Sequence, residues 1–202
     1  MSSWRGPNKR AKKSFRDGED DGNDDDADDD VQRLGCCIYF YADVSKKSVA
    51  RLLREMNEAW KENVVARGPK PHSEIIVYVH SLGGDAYAGL SAMNHLRHFP
   101  CRVVTVADGM VASAATLLLL GGHERRIMPH THVLIHQLRT GFWGKYDELK
   151  DEYRNSTLLM ESLMDIYTKE TSIPRDELET MLRSERCMSA EECVAYGIGV
   201  LC

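Results

Sequence analysis

Ile75-Ile76-Val77-Tyr78-Val79 is an apolar run with no polar alternation, and it leads through His80 into Ser81-Leu82-Gly83-Gly84-Asp85. A strand that alternates nowhere offers no face to water, so it belongs in the middle of a sheet covered on both sides. Helical patterns flank it. Ser45 can cap a helix whose apolar face is Val49, Leu52, Leu53, Met56 and Trp60, and a second helix is expected over Ala86 to Arg97. Further strands are expected at Cys37 to Tyr41, Arg102 to Val106, Arg126 to Met128 and Val133 to Ile135. A helix is expected through Ser113 to Leu120, and a long one from Tyr146 to Glu170 that ends before Pro174. Ser189-Ala190-Glu191-Glu192 is a capping box that opens a short last helix stopping at Gly197. Strands alternating with crossover helices give an α/β fold with a mainly parallel sheet.

The chain divides at Val31, with residues 1–30 as a tail and 31–202 as one folded domain. The tail is basic from Lys9 to Arg16 and acidic from Asp17 to Asp30, with only Trp4 and Phe15 as large apolar residues. It cannot bury enough surface to offset its ordering entropy, so disorder is expected. Lys9-Arg10-Ala11-Lys12-Lys13 reads either as a nuclear-import or polyanion-binding patch or as part of a solubilising tail whose opposite charges partly cancel; the second fits better. With six Lys or Arg and ten acids, the tail holds four of the five net negative charges. The nearly neutral body lacks the basic face of a nucleic-acid reader. The longest small and apolar run, Val111 to Leu120, is about half the roughly 20 residues a bilayer span needs, so no membrane association is expected. No apolar segment follows the basic residues of the tail, which argues against a secretory signal, and a cytoplasmic location is expected. The six cysteines show neither a CxxC pair nor a Cys/His cluster, so they read as small buried hydrophobes, with neither zinc nor a disulfide framework expected.

Three segments could carry chemistry. The Gly83-Gly84 turn sits between the central strand and a helix, where outward amides can hold a developing negative charge; a simple tight turn capped by Asp85 is the plainer reading. In Gly109-Met110-Val111-Ala112-Ser113-Ala114-Ala115, small residues place Ser113 near a helix N-terminus, although Ser113 can equally be a packing residue. The G-x-S-x-G elbow of α/β hydrolases is absent. His136, after Val133-Leu134-Ile135, stands where an imidazole can reach a nucleophile on a neighbouring element, or serves as a structural histidine.

Taken together, the Gly-Gly turn, the small-residue turn with Ser113, the strand-end His136 and the Met188-Ser189-Ala190-Glu191-Glu192 segment resemble, in order and spacing, the Clp protease proteolytic subunit (ClpP) family over about Cys37 to Val200. The resemblance implies a ClpP/crotonase-like fold of repeated β-β-α units around a mainly parallel sheet, with a long inter-ring helix from Tyr146. It implies a serine endopeptidase in which Ser113 is the nucleophile, His136 the general base and the backbone amides of Gly84 and Ala114 the oxyanion hole. The family's acid is an Asp, and its place falls on Glu185; Asp176 is the fallback. Leu82 and Leu138 stand where the family commonly has Pro.

By the same resemblance the working form is a homo-oligomer of two stacked heptameric rings fed by a AAA+ unfoldase, acting on protein and peptide substrates. Phe142 and Trp143 then either pack across the ring interface or merely precede the helix. No cofactor is implied, since ATP would bind the partner and the chain has no G-x-x-x-x-G-K-[ST] loop. Two alternatives share the fold: a crotonase-like acyl-CoA enzyme, which polarises a thioester with paired amides and no serine, and an inactive ring subunit, which the Glu at the acid position supports.

Overall fold

The computed structural model describes residues 30–67 and 74–202. Residues 1–29 of the expected tail, and residues 68–73, lie outside the described residues. A hairpin of β1 (Val31–Leu34) and β2 (Cys37–Phe40), turning at Gly35, opens the body, and α1 (Lys46–Arg67) follows. Then come β3 (Glu74–Ser81), α2 (Ala86–Arg97), β4 (Arg102–Ala112), α3 (Ala115–Leu120), β5 (Glu124–Ile127) and β6 (His132–Leu134). The chain ends with α4 (Tyr146–Glu170), α5 (Arg175–Leu182), α6 (Ala190–Ala195) and β7 (Val200–Leu201).

The sheet runs β1-β2-β3-β4-β5-β7, with β6 pairing the far end of β4; every pairing is parallel except the first hairpin. The expected α/β class with a mainly parallel sheet is the one observed. Helices α2 and α4 occupy the spans read from the sequence, because each keeps an unbroken apolar stripe. Several features depart from the reading, among them the edge strand β7, which was not expected. Hairpin strand β1 and helix α5 were not expected, and Pro174 is the N-cap that starts α5 rather than only a stop after α4. Strand β4 continues six residues beyond Val106, to Ala112.

β3 occupies the expected centre, between β2 and β4. Its cover is one-sided: Ile75, Val77 and Val79 are fully buried, whereas Ile76 and Tyr78 are half-buried and Tyr78 stacks on Tyr39 at 5.0 Å. The cysteines also depart from expectation, since only Cys193 is fully buried.

The extension of β4 is what delivers the site. Val79 pairs with Ala107 but Ser81 pairs with Val111, so four steps along β4 match two along β3. The excess is a bulge at Asp108-Gly109-Met110, where Gly109 takes φ +73°. The Gly109 amide donates to Thr131 Oγ1 at 3.2 Å, and His80 Nδ1 lies 2.9 Å from the Asp108 carbonyl oxygen. Beyond the bulge β4 pairs with β6, through Met110 to Ala112, and Ser113 follows.

Candidate active site

The turn after β3 is held by backbone bonds on both sides. The Val44 amide donates to the Gly83 carbonyl at 2.7 Å, and the Asp85 amide donates to the Val44 carbonyl at 2.7 Å. Gly83 and Gly84 take φ +105° and +142°, and a Cβ on Gly84 would stand 2.3 Å from the Val44 carbonyl oxygen, so glycine is required there. Asp85 Oδ1 accepts from the amides of Tyr87 and Ala88, capping α2 as the plainer reading proposed. The Gly83 amide is taken by Ser81 Oγ at 3.2 Å, while those of Gly84 and Ala114 have no acceptor among the described residues.

Ser113 is one of only two non-glycine residues with positive φ among the described residues, at +54°. Its amide donates to the Leu134 carbonyl at 2.9 Å, and its own carbonyl accepts from the Thr116 amide at 3.0 Å and from Thr116 Oγ1 at 2.6 Å. A left-handed serine costs on the order of 1–3 kcal/mol and persists only where its surroundings over-determine it. Here it turns the chain sharply from strand to helix. Helix α3 is buried throughout.

His136 follows β6, its side chain 12% exposed. An antiparallel bridge between Val133 and Met188, with bonds of 3.0 and 2.8 Å, draws the segment before α6 alongside β6. That places Glu185 Oε1 3.8 Å from His136 Nδ1, which is buried and has no hydrogen-bond partner among the described residues. The same oxygen accepts from Arg139 Nη2 at 2.6 Å, and this bond holds the Glu185 carboxyl below the usual carboxylate range. The Glu185 and Arg139 side chains are 59% and 74% exposed. Asp176 sits in the first turn of α5, and Glu185 is the carboxylate that lies against the His136 ring among the described residues.

Ser113, Ala114, Gly84 and His136 line one cavity of about 260 Å³, with Leu82 on its rim and Tyr167 of α4 in its wall. No hydrogen bond joins Ser113 Oγ to the His136 ring among the described residues. A larger groove of about 590 Å³ beside Asp30, Tyr41 and the first turns of α1 contains none of the motif residues. Arg139, Thr116 and Tyr167 escaped the sequence reading. Tyr167 continues the buried stripe Leu159, Leu163, Met164, which marks it as core and not as a neighbour of Ser113.

Among the described residues no cluster of three or more His, Cys, Asp or Glu side chains could hold a metal ion, and no helix is long and apolar enough to cross a membrane. An α/β chain with a strained serine, an inward histidine and two free amides around one cavity has the parts of an acyl-transfer site. The sequence model of the Clp protease family matches residues 37–199, and the chain belongs to that family. It is 33% identical over 130 residues to the ATP-dependent Clp protease proteolytic subunit of Deinococcus radiodurans, covering 63% of this chain and 64% of that one. The protein of the same name from Porphyromonas gingivalis is 31% identical over 130 residues, 63% of this chain and 59% of its own length. The alignments thus span less than two thirds of these curated relatives.

Proposed function

We propose that this chain is a serine endopeptidase, the proteolytic subunit of an ATP-dependent Clp-type protease that cuts unfolded proteins to peptides in the cytoplasm. Residues 31–202 form its peptidase domain and residues 1–30 a charged tail. The observation that carries the reading is the left-handed Ser113, opening on one cavity with His136 and the amides of Gly84 and Ala114. His136 Nε2 takes the proton of Ser113 Oγ as Oγ attacks the scissile carbonyl carbon, and the two amides hold the tetrahedral oxyanion. His136 passes that proton to the leaving amine. Water, deprotonated in turn by His136, releases the acyl group and restores Ser113. Glu185 faces Nδ1 and orients the imidazole.

The relatives' names, ATP-dependent and proteolytic subunit, support a partnership with an ATPase and assembly with other subunits; the AAA+ unfoldase and the two stacked heptameric rings are what the resemblance to the family implies. Exposed apolar residues before and along α4, with Trp143 95% exposed and Tyr146 and Tyr153 also bare, support α4 as the ring-to-ring element.

Reacting the full chain with a fluorophosphonate, mapping the adduct by mass spectrometry and weighing the native assembly tests the reading. Labelling at Ser113, lost in Ser113→Ala while the ring mass is kept, is expected. Labelling that survives in Ser113→Ala removes Ser113 from the mechanism. An unlabelled intact ring overturns the peptidase reading and leaves the inactive-subunit and crotonase-like alternatives.

A further inference from the structure

Tyr167 is 3% exposed, and its hydroxyl lies 2.6 Å from Thr116 Oγ1. Thr116 Oγ1 in turn lies 2.6 Å from the Ser113 carbonyl oxygen. Proton counting fixes the direction of this chain. A carbonyl cannot donate, so the single proton of the Thr116 hydroxyl goes to Ser113, and the Tyr167 O–H must donate to Thr116 Oγ1. Thr116 is itself buried, so neither hydroxyl can exchange its partner for bulk water. Desolvation pushes the phenol up to about 12, so Tyr167 keeps the proton this chain requires at every physiological pH.

The Ser113 carbonyl belongs to the same peptide plane as the Ala114 amide, and in a trans peptide the two point in opposite directions. Fixing the carbonyl therefore fixes the direction of the amide. At a residue with φ +54°, the backbone gives that carbonyl a single turn bond, from the Thr116 amide at 3.0 Å, and the shorter bond from the Thr116 hydroxyl is the second tie on the plane. We infer that Thr116 and Tyr167 are positioning residues, whose hydroxyls clamp the Ser113 carbonyl so that the Ala114 N–H is aimed into the cavity as an oxyanion donor. The inference deepens the proposed function and rests on that reading of Ser113 and Ala114. It also gives α4 a direct mechanical hold on the nucleophile, since Tyr167 lies on the helix whose N-terminal half is bare.

The test is the fluorophosphonate rate on the full chain. Thr116→Val removes the hydroxyl at nearly constant volume, Thr116→Ser keeps it, and Tyr167→Phe removes only the phenolic oxygen. Thr116→Val is expected to lower the maximal rate of Ser113 labelling about tenfold or more, and Tyr167→Phe about threefold to tenfold, with half-saturation by the probe unchanged. Thr116→Ser should stay within about twofold of the parent, and adding Tyr167→Phe to Thr116→Val should cost little more, because both act through one chain of bonds. Parent-like labelling in both Thr116→Val and Tyr167→Phe overturns the inference, and if Thr116→Val fails to fold, Tyr167→Phe alone decides.

Should the parent chain itself not label, the serine reading fails separately. Amide hydrogen exchange over residues 112–118 then decides the clamp. Faster exchange in Tyr167→Phe than in the parent and Thr116→Ser supports it, and equal exchange overturns it.

Discussion

The two halves of the candidate site are built differently. On the side of the proposed nucleophile, backbone bonds to Val44, Leu134 and Thr116 hold the Gly83-Gly84 turn and Ser113, and the fully buried helix α3 follows. On the acid side, Glu185 sits in a loop, more than half exposed, 3.8 Å from the imidazole and bonded instead to the exposed Arg139. The first half is defined by backbone packed inside the fold, the second by side chains that solvent can rearrange. Substitutions should therefore be felt unequally, severely where a backbone group is displaced and mildly where a solvated side chain is exchanged.

The largest effect is expected at Gly84. In Gly84→Ala the new Cβ meets backbone, the Val44 carbonyl oxygen at 2.3 Å, and no side chain can move aside to admit it. The loss of stability should be about 2–4 kcal/mol, from left-handed strain and forced separation of the turn from Val44. Serine labelling should fall about a hundredfold or more in the molecules that remain folded, as when one oxyanion donor is lost. Thermal melting and labelling on the same sample check this; parent-like values for both would dissolve the contrast between the halves.

Glu185→Gln should do less. A buried, directly bonded triad acid can be worth about 10⁴ in rate, but a carboxylate open to water and shared with a guanidinium has less influence on the imidazole, so a loss nearer tenfold is expected. Arg139→Ala removes the competitor and leaves Glu185 free to close on Nδ1, which should raise the labelling rate about twofold to threefold. A loss of 10³ or more in Glu185→Gln, or a clear fall in Arg139→Ala, would show that Arg139 holds the acid in place rather than drawing it off.

How far the sequence anticipates these halves follows the same division. Helices α2 and α4 and the capping box at Ser189, where Ser189 Oγ and Glu192 bond reciprocally to each other's amides, are local patterns, and they sit where expected. Hairpin strand β1 is only four residues long, and α5 is two turns whose buried residues, Leu178 and Leu182, give too short a stripe to register as a period. The bulge that carries β4 on to Ser113 depends on partners at His80 and Thr131, far along the chain. Ser113, His136 and Gly84 were nameable only as a set, because each residue alone fits an ordinary turn or strand end. Thr116 and Tyr167 left no such trace: 51 positions separate them, and only the tertiary fold brings their hydroxyls together.

The smallest effect sharpens the contrast by setting one carboxylate against another. Glu170, one turn beyond Tyr167, bonds to both arms of the Arg97 guanidinium and lies 3.8 Å from Arg125, while its own carbonyl accepts from Arg125 at 2.7 Å. Arg97 also donates to the Leu120 carbonyl at the end of α3, so this carboxylate fastens α4 to the nucleophile side. The bond to Arg97 holds the Glu170 carboxyl below its ordinary value of 4.5. A carboxyl depressed in the folded state contributes stability above its unfolded value and loses it as pH falls through the folded one. Glu170→Gln should therefore cost about 1 kcal/mol near neutrality, a melting shift of about 2–4 °C, and the gap to the parent should close as the pH falls below the ordinary carboxyl value of 4.5. Glu185 is depressed by Arg139 in the same direction, but it is open to solvent, so Glu185→Gln should leave the acid limb of the melting curve unmoved. Equal acid sensitivity in the two variants would mean that the acid loop is as firmly built into the fold as the scaffold beneath the serine.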